Sequence, residues 1–450
     1  MDAFNLANSI VTVVFGFVAS GISTVVIPEY ANKRNKKAVD TFITIVYGVM
    51  IIVIAVIILL RVQIVGVLSN RGNVFTNLTA YILVPLLLSQ YLASFANITV
   101  AHFHSEGMYT TPRIISAICH VCVIITLLYV KSINIFQYTF IFTASLIFNF
   151  FLDVIIAIKS GWHYKPTVAL NEDSKLLFKR IVPIIVSTGV YQLSLMVDTT
   201  ISSFLDVGKL SILSYSSQIS TMVHAVLIGN LTTYIYPKIT KRITESGYQI
   251  EFWKNTAVFH AIVCLMSAGF LTVGLEGISL LFQHGTFTAE DSKMVFIGAA
   301  IYVVGQQTGV IRDLIYRYFY ACGNTKIPGI NSVMVSVLNI VISILLVWLI
   351  GFYGIIIGTV IASTISLAII LIRFKRNFGF DEKFVTIIGR YFVSTMIFLA
   401  TVVVVYLTKH CIPISNDLVS ILVFGSETVV VYAVFSLLFN RKTISSIINL

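Results

Sequence analysis

The sequence predicts an all-α polytopic membrane protein made of two copies of one helical bundle, and three observations predict it. The 450 residues are 57% hydrophobic and only 11% charged, with mean hydropathy +0.94, whereas soluble domains carry about 25% charged residues. Apolar runs such as Ile43 to Leu60, Ile82 to Val100, Ile181 to Ile201 and Val333 to Ile350 are long enough to cross a bilayer as helices of about 20 residues. The alternation of a closed barrel is absent, so helices must satisfy the backbone. Third, the first half is echoed in the second. Ile22-Ser23-Thr24-Val25-Val26-Ile27-Pro28, followed by Lys33-Arg34, returns as Leu231-Thr232-Thr233-Tyr234-Ile235-Tyr236-Pro237, followed by Lys238 and Lys241-Arg242. Phe103, Gly107, Pro112 and Ile114 return as Phe319, Gly323, Pro328 and Ile330. Such duplication is typical of transporters whose halves rock about a central site.

Taken in order, the apolar runs give thirteen spans, at 6–28, 41–61, 78–100, 113–131, 136–158, 180–205, 211–236, 255–282, 293–321, 329–350, 352–374, 388–408 and 417–439. The net charge of +11 is not a nucleic-acid signal, because the basic residues alternate between loops. Loops 29–40, 101–112, 159–179, 237–254, 322–328 and 375–387, their flanking helix ends and the carboxyl terminus hold 22 of the 30 Lys and Arg. The positive-inside rule therefore assigns these loops to the cytoplasm. The amino terminus then lies outside, and the carboxyl terminus, with Arg441 and Lys442, inside a multi-pass plasma membrane protein. Met1-Asp2 opens directly onto an outside-to-inside span with no signal peptide, and the span carrying Asp198 has no counterpart in the first half. The expectation is that one helix is missing from the start; a genuine thirteen-helix protein is the alternative. Five scattered cysteines imply no disulfide framework, and Cys119-His120-Val121-Cys122 lies in an apolar helix without a second ligand pair, which reads as packing.

Further motifs carry a family resemblance. Asp2-Ala3-Phe4, the Ile22 to Pro28 element, Val197-Asp198 with Ser202-Ser203, and Leu281-Phe282-Gln283-His284-Gly285-Thr286-Phe287-Thr288 follow one another. Then come Arg312-Asp313, Arg317, Phe319-Tyr320-Ala321, Gly323-Asn324-Thr325-Lys326 and Pro328. Together they resemble the lipid II flippase family (MurJ, also called MviN) in its Gram-positive form, over nearly the whole chain. The resemblance implies a fourteen-helix member of the multidrug/oligosaccharidyl-lipid/polysaccharide exporter superfamily, with two six-helix lobes around a central cavity and two added C-terminal helices that form a lipid-lined groove. On this chain the lobes become 1–165 and 166–380, and the added pair 381–450. The implied activity moves undecaprenyl-pyrophosphate-linked muropeptide from the inner to the outer leaflet by alternating access, for peptidoglycan synthesis.

Ionisable groups at membrane depth cost roughly 2.5–3.5 kcal/mol each on insertion scales, so each needs a partner or a wet cavity. Asp313 and Arg317 are four apart and can pair along one helix face, which leaves Arg312 available. A guanidinium grips phosphate oxygens with two parallel hydrogen bonds and keeps its charge. Arg312, and with it Arg317, is therefore a candidate for binding the pyrophosphate; the other reading has both arginines snorkel to the cytoplasmic surface. Asp198, midway along its helix, must be protonated, paired or ion-binding, or else a hydrogen-bonded structural carboxylate. Asn339, Ser343 and Thr359 supply oxygens that could complete a hard-cation site with it. The resemblance carries a family ion site onto Asp198, Asn339 and Thr359, with Ile355 lending its carbonyl. Ser343 stands where that site has a second carboxylate, which argues for a weaker sodium site or for proton coupling. By the same matching, Asp2 is an acidic residue at the outer mouth of the cavity, and neutral Gln218 stands where many members have a basic residue.

No catalytic constellation can be argued from spacing, so the chain is not read as an enzyme: His224 is intramembrane without an evident partner, as an acyltransferase would require. No cofactor signature appears, and the expected partners are the glycan lipid, the bilayer and proteins of cell-wall synthesis. The depleted cavity charge keeps open a flippase for capsule or teichoic-type oligosaccharide. A cation-coupled drug exporter on the same fold would want an acidic cavity. An inactive scaffold lacking its first helix is the remaining alternative.

Overall fold

The computed structural model describes residues 1–31, 36–130, 133–225, 248–380, 384–441 and 443. Among them are fourteen helices and no strand. They are α1 (Asp2–Ala31), α2 (Lys36–Leu59), α3 (Arg61–Leu68), α4 (Gly72–Ser105), α5 (Thr111–Tyr129), α6 (Ile135–Lys159), α7 (Glu172–Ser203) and α8 (Lys209–His224). After the next described segment opens come α9 (Tyr248–Phe282), α10 (Ala289–Ala321), α11 (Lys326–Ile350), α12 (Tyr353–Phe378), α13 (Phe384–Cys411) and α14 (Asp417–Phe439). Ten of these are long and apolar enough to cross a membrane. The three other expected spans fall on α1, α7 and α8, and the end of the last lies outside the described residues, as does the echo at Leu231 to Pro237.

Large apolar side chains face outward: Ile52 is 65% exposed, Leu128 80% and Trp348 89%. In water such a surface would aggregate; in a bilayer it is the surface the solvent requires. Lipid removes the hydrophobic drive between helices, so packing and small polar residues must hold them together. Buried threonines fit that role because each hydroxyl bonds its own helix. Thr79 donates to the Phe75 carbonyl at 2.9 Å, Thr256 to that of Phe252 at 2.8 Å, and Thr428 to that of Phe424 at 2.7 Å.

The chain divides into two compact units, Met1–Ser211 and Ile212–Leu450. In the first, α1 packs against α4 and α7, α4 against α6, and α5 against α6, around buried Leu6, Phe42, Leu83 and Phe103. α7 packs on α1 and α2 and lies in the first of these units. In the second, α9 packs against α10, α13 and α14, while α12 packs against α10 and α11. Its aromatic core centres on Trp253, Phe252, Phe319 and Phe374. The last two helices are tied in by polar contacts: Lys409 pairs with Glu276 and donates to the Thr272 carbonyl, and Thr408 donates to Glu427 at 2.8 Å.

The second sequence echo is a repeated hydrogen-bond motif. At the end of α4, the Met108 amide donates to the Phe103 carbonyl (2.8 Å) and the Gly107 amide to that of His104 (3.2 Å). At the end of α10, the Asn324 amide donates to Phe319 (2.9 Å) and the Gly323 amide to Tyr320 (2.9 Å). Both are Schellman caps, which need a left-handed residue at the turn. Gly107 (φ 78°) and Gly323 (φ 75°) supply it. Phe103 and Phe319 are fully buried in both copies.

Candidate functional site

The charged residues singled out in the second unit, Arg312, Asp313 and Arg317, stand on α10. Its start is fixed by a capping box, in which the Thr288 amide donates to Asp291 at 2.8 Å and the Asp291 amide to Thr288 Oγ1 at 3.2 Å. Its later turns carry Gln306, Arg312, Asp313 and Arg317. The ion pair forms between sequence neighbours, not four residues apart: Arg312 Nε and Nη2 lie 3.1 and 3.0 Å from Asp313 Oδ1. Arg312 Nη1 donates to Ser363 Oγ on α12 at 3.0 Å, and its guanidinium lies 5.9 Å from the Tyr316 ring. This corrects the expected Asp313–Arg317 pairing. On the far side of the carboxylate, His224 Nε2 on α8 approaches Asp313 Oδ2 at 3.7 Å. His224 therefore has a polar partner that sequence spacing did not reveal. The side chains of Arg312, Asp313 and His224 are 23%, 29% and 41% exposed, so the set is compensated yet open. Arg317 is half-buried one turn further on.

On α8, Ser216 is buried against α10 and donates to the Val295 carbonyl at 3.2 Å, while Gln306 reaches back to the Ser220 hydroxyl at 2.7 Å. Ser217, Gln218 and Thr221 are exposed. Gln218 thus stands on an uncharged polar stretch of a helix whose last residue is His224.

The oxygen donors expected of an ion site cluster on α11 and α12. Ser343 Oγ lies 3.3 Å from Asn339 Oδ1 and 3.4 Å from the Ile355 carbonyl, and Thr359 donates to that carbonyl at 3.1 Å. Asn339, Ser343 and Ile355 are all buried. The close approach depends on Gly358, where an added Cβ would lie 2.8 Å from Ser343 Oγ and 2.9 Å from its Cα. Four neutral oxygens suit a hard cation. Asp198 is buried on α7 in the first unit.

Asp2 sits at the start of α1 in a closed set of donors. Arg71 pairs with it, the Gly208 amide donates at 2.8 Å, and Ser211 donates through its amide at 2.9 Å and its hydroxyl at 2.5 Å. Arg71 also donates to the carbonyls of Ser203 (2.8 Å), Leu205 (3.1 Å) and Asp206 (3.0 Å). Burial alone pushes the Asp2 carboxyl up, but the bonds from Ser211, Arg71 and Gly208 outweigh it and hold the group below its ordinary value. Sequence reasoning missed Arg71, which joins the α3–α4 turn to the α7–α8 turn across long sequence separations.

Sequence comparison identifies this architecture. The sequence model of the lipid II flippase MurJ family matches residues 1–424. The chain belongs to the MurJ family. A probable lipid II flippase MurJ of Rickettsia prowazekii is 24% identical over 391 residues, 82% of this chain and 76% of that protein. A probable lipid II flippase MurJ of Thermotoga maritima is 25% identical over 223 residues, and that match spans about half of this chain and 46% of the relative. A solved lipid II flippase MurJ in an inward closed conformation superposes with a TM-score of 0.82 at 22% identity, covering 98% of this chain and 93% of that one. An inward-facing multidrug resistance MATE transporter of the MOP superfamily has the same fold at a TM-score of 0.66 and 11% identity, over 86% of this chain and 91% of that one. MurJ membership and helices able to span the bilayer make the chain a multi-pass membrane protein.

Proposed function

We propose that this chain is a flippase that carries undecaprenyl-pyrophosphate-linked muropeptide, lipid II, from the inner to the outer leaflet for peptidoglycan synthesis. The match of the MurJ family across residues 1–424 carries this reading. Its relatives are transporters, and no chemical conversion is assigned to the chain. Arg312 is the headgroup-binding residue. At membrane depth a bare guanidinium is costly, and Asp313 meets that cost while the lipid is away. An arriving pyrophosphate offers a better bidentate acceptor than the single oxygen of Asp313 that Arg312 now uses. Asp313 then keeps His224 as its partner. Arg317 adds positive charge one turn away, and Gln218 contacts the uncharged part of the headgroup.

The oxygen cluster of Asn339, Ser343, Ile355 and Thr359 is the cation-sensing part of the second unit, with Asp198 as the carboxylate of the coupling step in the first. Sodium or a proton drives alternating access. The carboxyl terminus lies in the cytoplasm, in keeping with the 22 Lys and Arg on that set of loops and ends.

Conditional depletion in the source bacterium tests the reading, with an assay of which leaflet holds the undecaprenyl-linked muropeptide. The expected result is muropeptide trapped in the inner leaflet, returning outside on re-expression. Muropeptide that still reaches the outer leaflet while another lipid-linked glycan accumulates would move the substrate to that glycan.

A further inference from the structure

The first unit carries a basic groove that transport of the headgroup does not use. It lies between the end of α4 and the first turns of α5, has a volume of about 490 Å3, and is lined by His104, Arg113, Ser116 and His120 with Val100 and Ala117. On α5, Arg113, Ser116, Ala117 and His120 follow helical spacing and form one stripe. On α4, Val100 and His104 are one turn apart and form the facing wall. Arg113 stands at the cytoplasmic end of its helix, and seven residues place His120 about 10 Å deeper along the axis.

We propose that this groove binds the phosphate of an anionic phospholipid from the cytoplasmic leaflet. Four observations on this chain support it. Arg113 is an exposed guanidinium in the first turn of an apolar helix, where a bidentate phosphate contact is its best use. His120 is exposed midway along an apolar helix long enough to cross a membrane, and none of the described residues hydrogen-bonds it; a lipid phosphate or glycerol ester would. Thr110 makes no side-chain capping bond, so the amides of Thr111 and Arg113, on either side of Pro112, add donors at the mouth of the same groove. The neighbouring side chains Ile114, Ile118 and Val121 are exposed and apolar, which suits acyl chains and not a soluble anion.

The repeat shows that the fold does not demand these residues. In the matching register of the second unit, Tyr320, Gly329 and Ser336 stand for His104, Arg113 and His120. Identical caps thus lead into basic residues in one unit and uncharged ones at the matching positions of the other. Arg113 keeps its charge at every physiological pH and so is the fixed charge of the groove. A bound phosphate would favour the charged form of His104 and add a second cation.

The test uses the purified full chain and native mass spectrometry, with phosphatidylglycerol titrated against phosphatidylcholine. The wild type is expected to retain one phosphatidylglycerol in preference to phosphatidylcholine. Arg113→Gln is expected to weaken retention about tenfold, the loss of one charge-assisted contact, and His120→Leu several-fold. Arg376→Gln, an exposed arginine of α12 outside the groove, should retain the lipid as the wild type does. If Arg113→Gln does not purify as a monodisperse protein, His120→Leu carries the comparison. Unchanged retention in the variant compared overturns the proposal. Displacement of the lipid by excess inorganic phosphate also overturns it, since the groove would then take the free anion.

Discussion

Each unit holds an arginine–aspartate pair, and the two pairs are built to opposite specifications. In the first unit, Asp2 and Arg71 are 9% and 11% exposed, and protein donors and acceptors surround both. In the second, Arg312 and Asp313 are more than twice as exposed and sit beside a histidine and a serine that can change partners. The closed pair joins three turns of backbone and acts as a latch. The open pair stores a guanidinium at membrane depth in a form that a phosphate can claim. Burial and saturation, and not the identity of the pair, are what the proposed roles of the two pairs rest on.

The contrast can be broken at the latch first. Asp2→Ala leaves Arg71 buried without its carboxylate, and removing one partner of a buried pair costs about 3–5 kcal/mol. A large fall in the unfolding midpoint of the purified protein, followed by intrinsic fluorescence, is the expected outcome. The open pair should answer differently. Arg312→Gln is expected to lower transport about a hundredfold, in line with the loss of one preorganised donor to a charged group, while the unfolding midpoint moves little.

A smaller effect is expected at Gly358. Ala there must displace Ser343, since its Cβ would sit 2.8 Å from Oγ, and overpacking of this kind costs about 1–3 kcal/mol. Ion stimulation of transport, measured with and without sodium in reconstituted vesicles, should weaken in this variant and not in Asp2→Asn. The paired caps give a finer comparison still. Gly107→Ala and Gly323→Ala each force a left-handed alanine, worth about 1–2 kcal/mol, and the two losses should be equal because the two caps are the same motif.

The smallest effect is the pH dependence of the latch. Because the folded Asp2 carboxyl is held below its ordinary value of 3.8, its contribution is complete above that value and is lost as pH falls through the lower folded value. The stability difference between wild type and Asp2→Asn should therefore be flat from neutral pH down to about pH 4 and shrink below it.

Much of the fold was legible because membrane helices advertise themselves locally. Among the described residues the apolar runs fell on helices, and the Phe-Gly-Pro echo became two matching Schellman caps, since a buried aromatic, a left-handed glycine and a proline near the next helix start are all short-range requirements. The site was legible only in its residue types. Spacing favoured Asp313 with Arg317, yet the carboxylate pairs with Arg312, and His224 from another helix faces it. Arg71 gave no sequence signal as the partner of Asp2, because its other contacts come from residues more than a hundred positions away. Long-range partners decide which charges are spent and which are kept, and one-dimensional spacing does not carry them.

The most direct test of the account compares Arg312→Gln with Asp2→Asn in the depleted source bacterium, at matched amounts of folded protein, reading the fraction of undecaprenyl-linked muropeptide in the outer leaflet. The account predicts that Arg312→Gln folds yet leaves the muropeptide inside, while Asp2→Asn restores its outward movement per folded molecule. The reverse result, with normal flipping by Arg312→Gln and none by folded Asp2→Asn, would contradict it and make the closed pair the functional one.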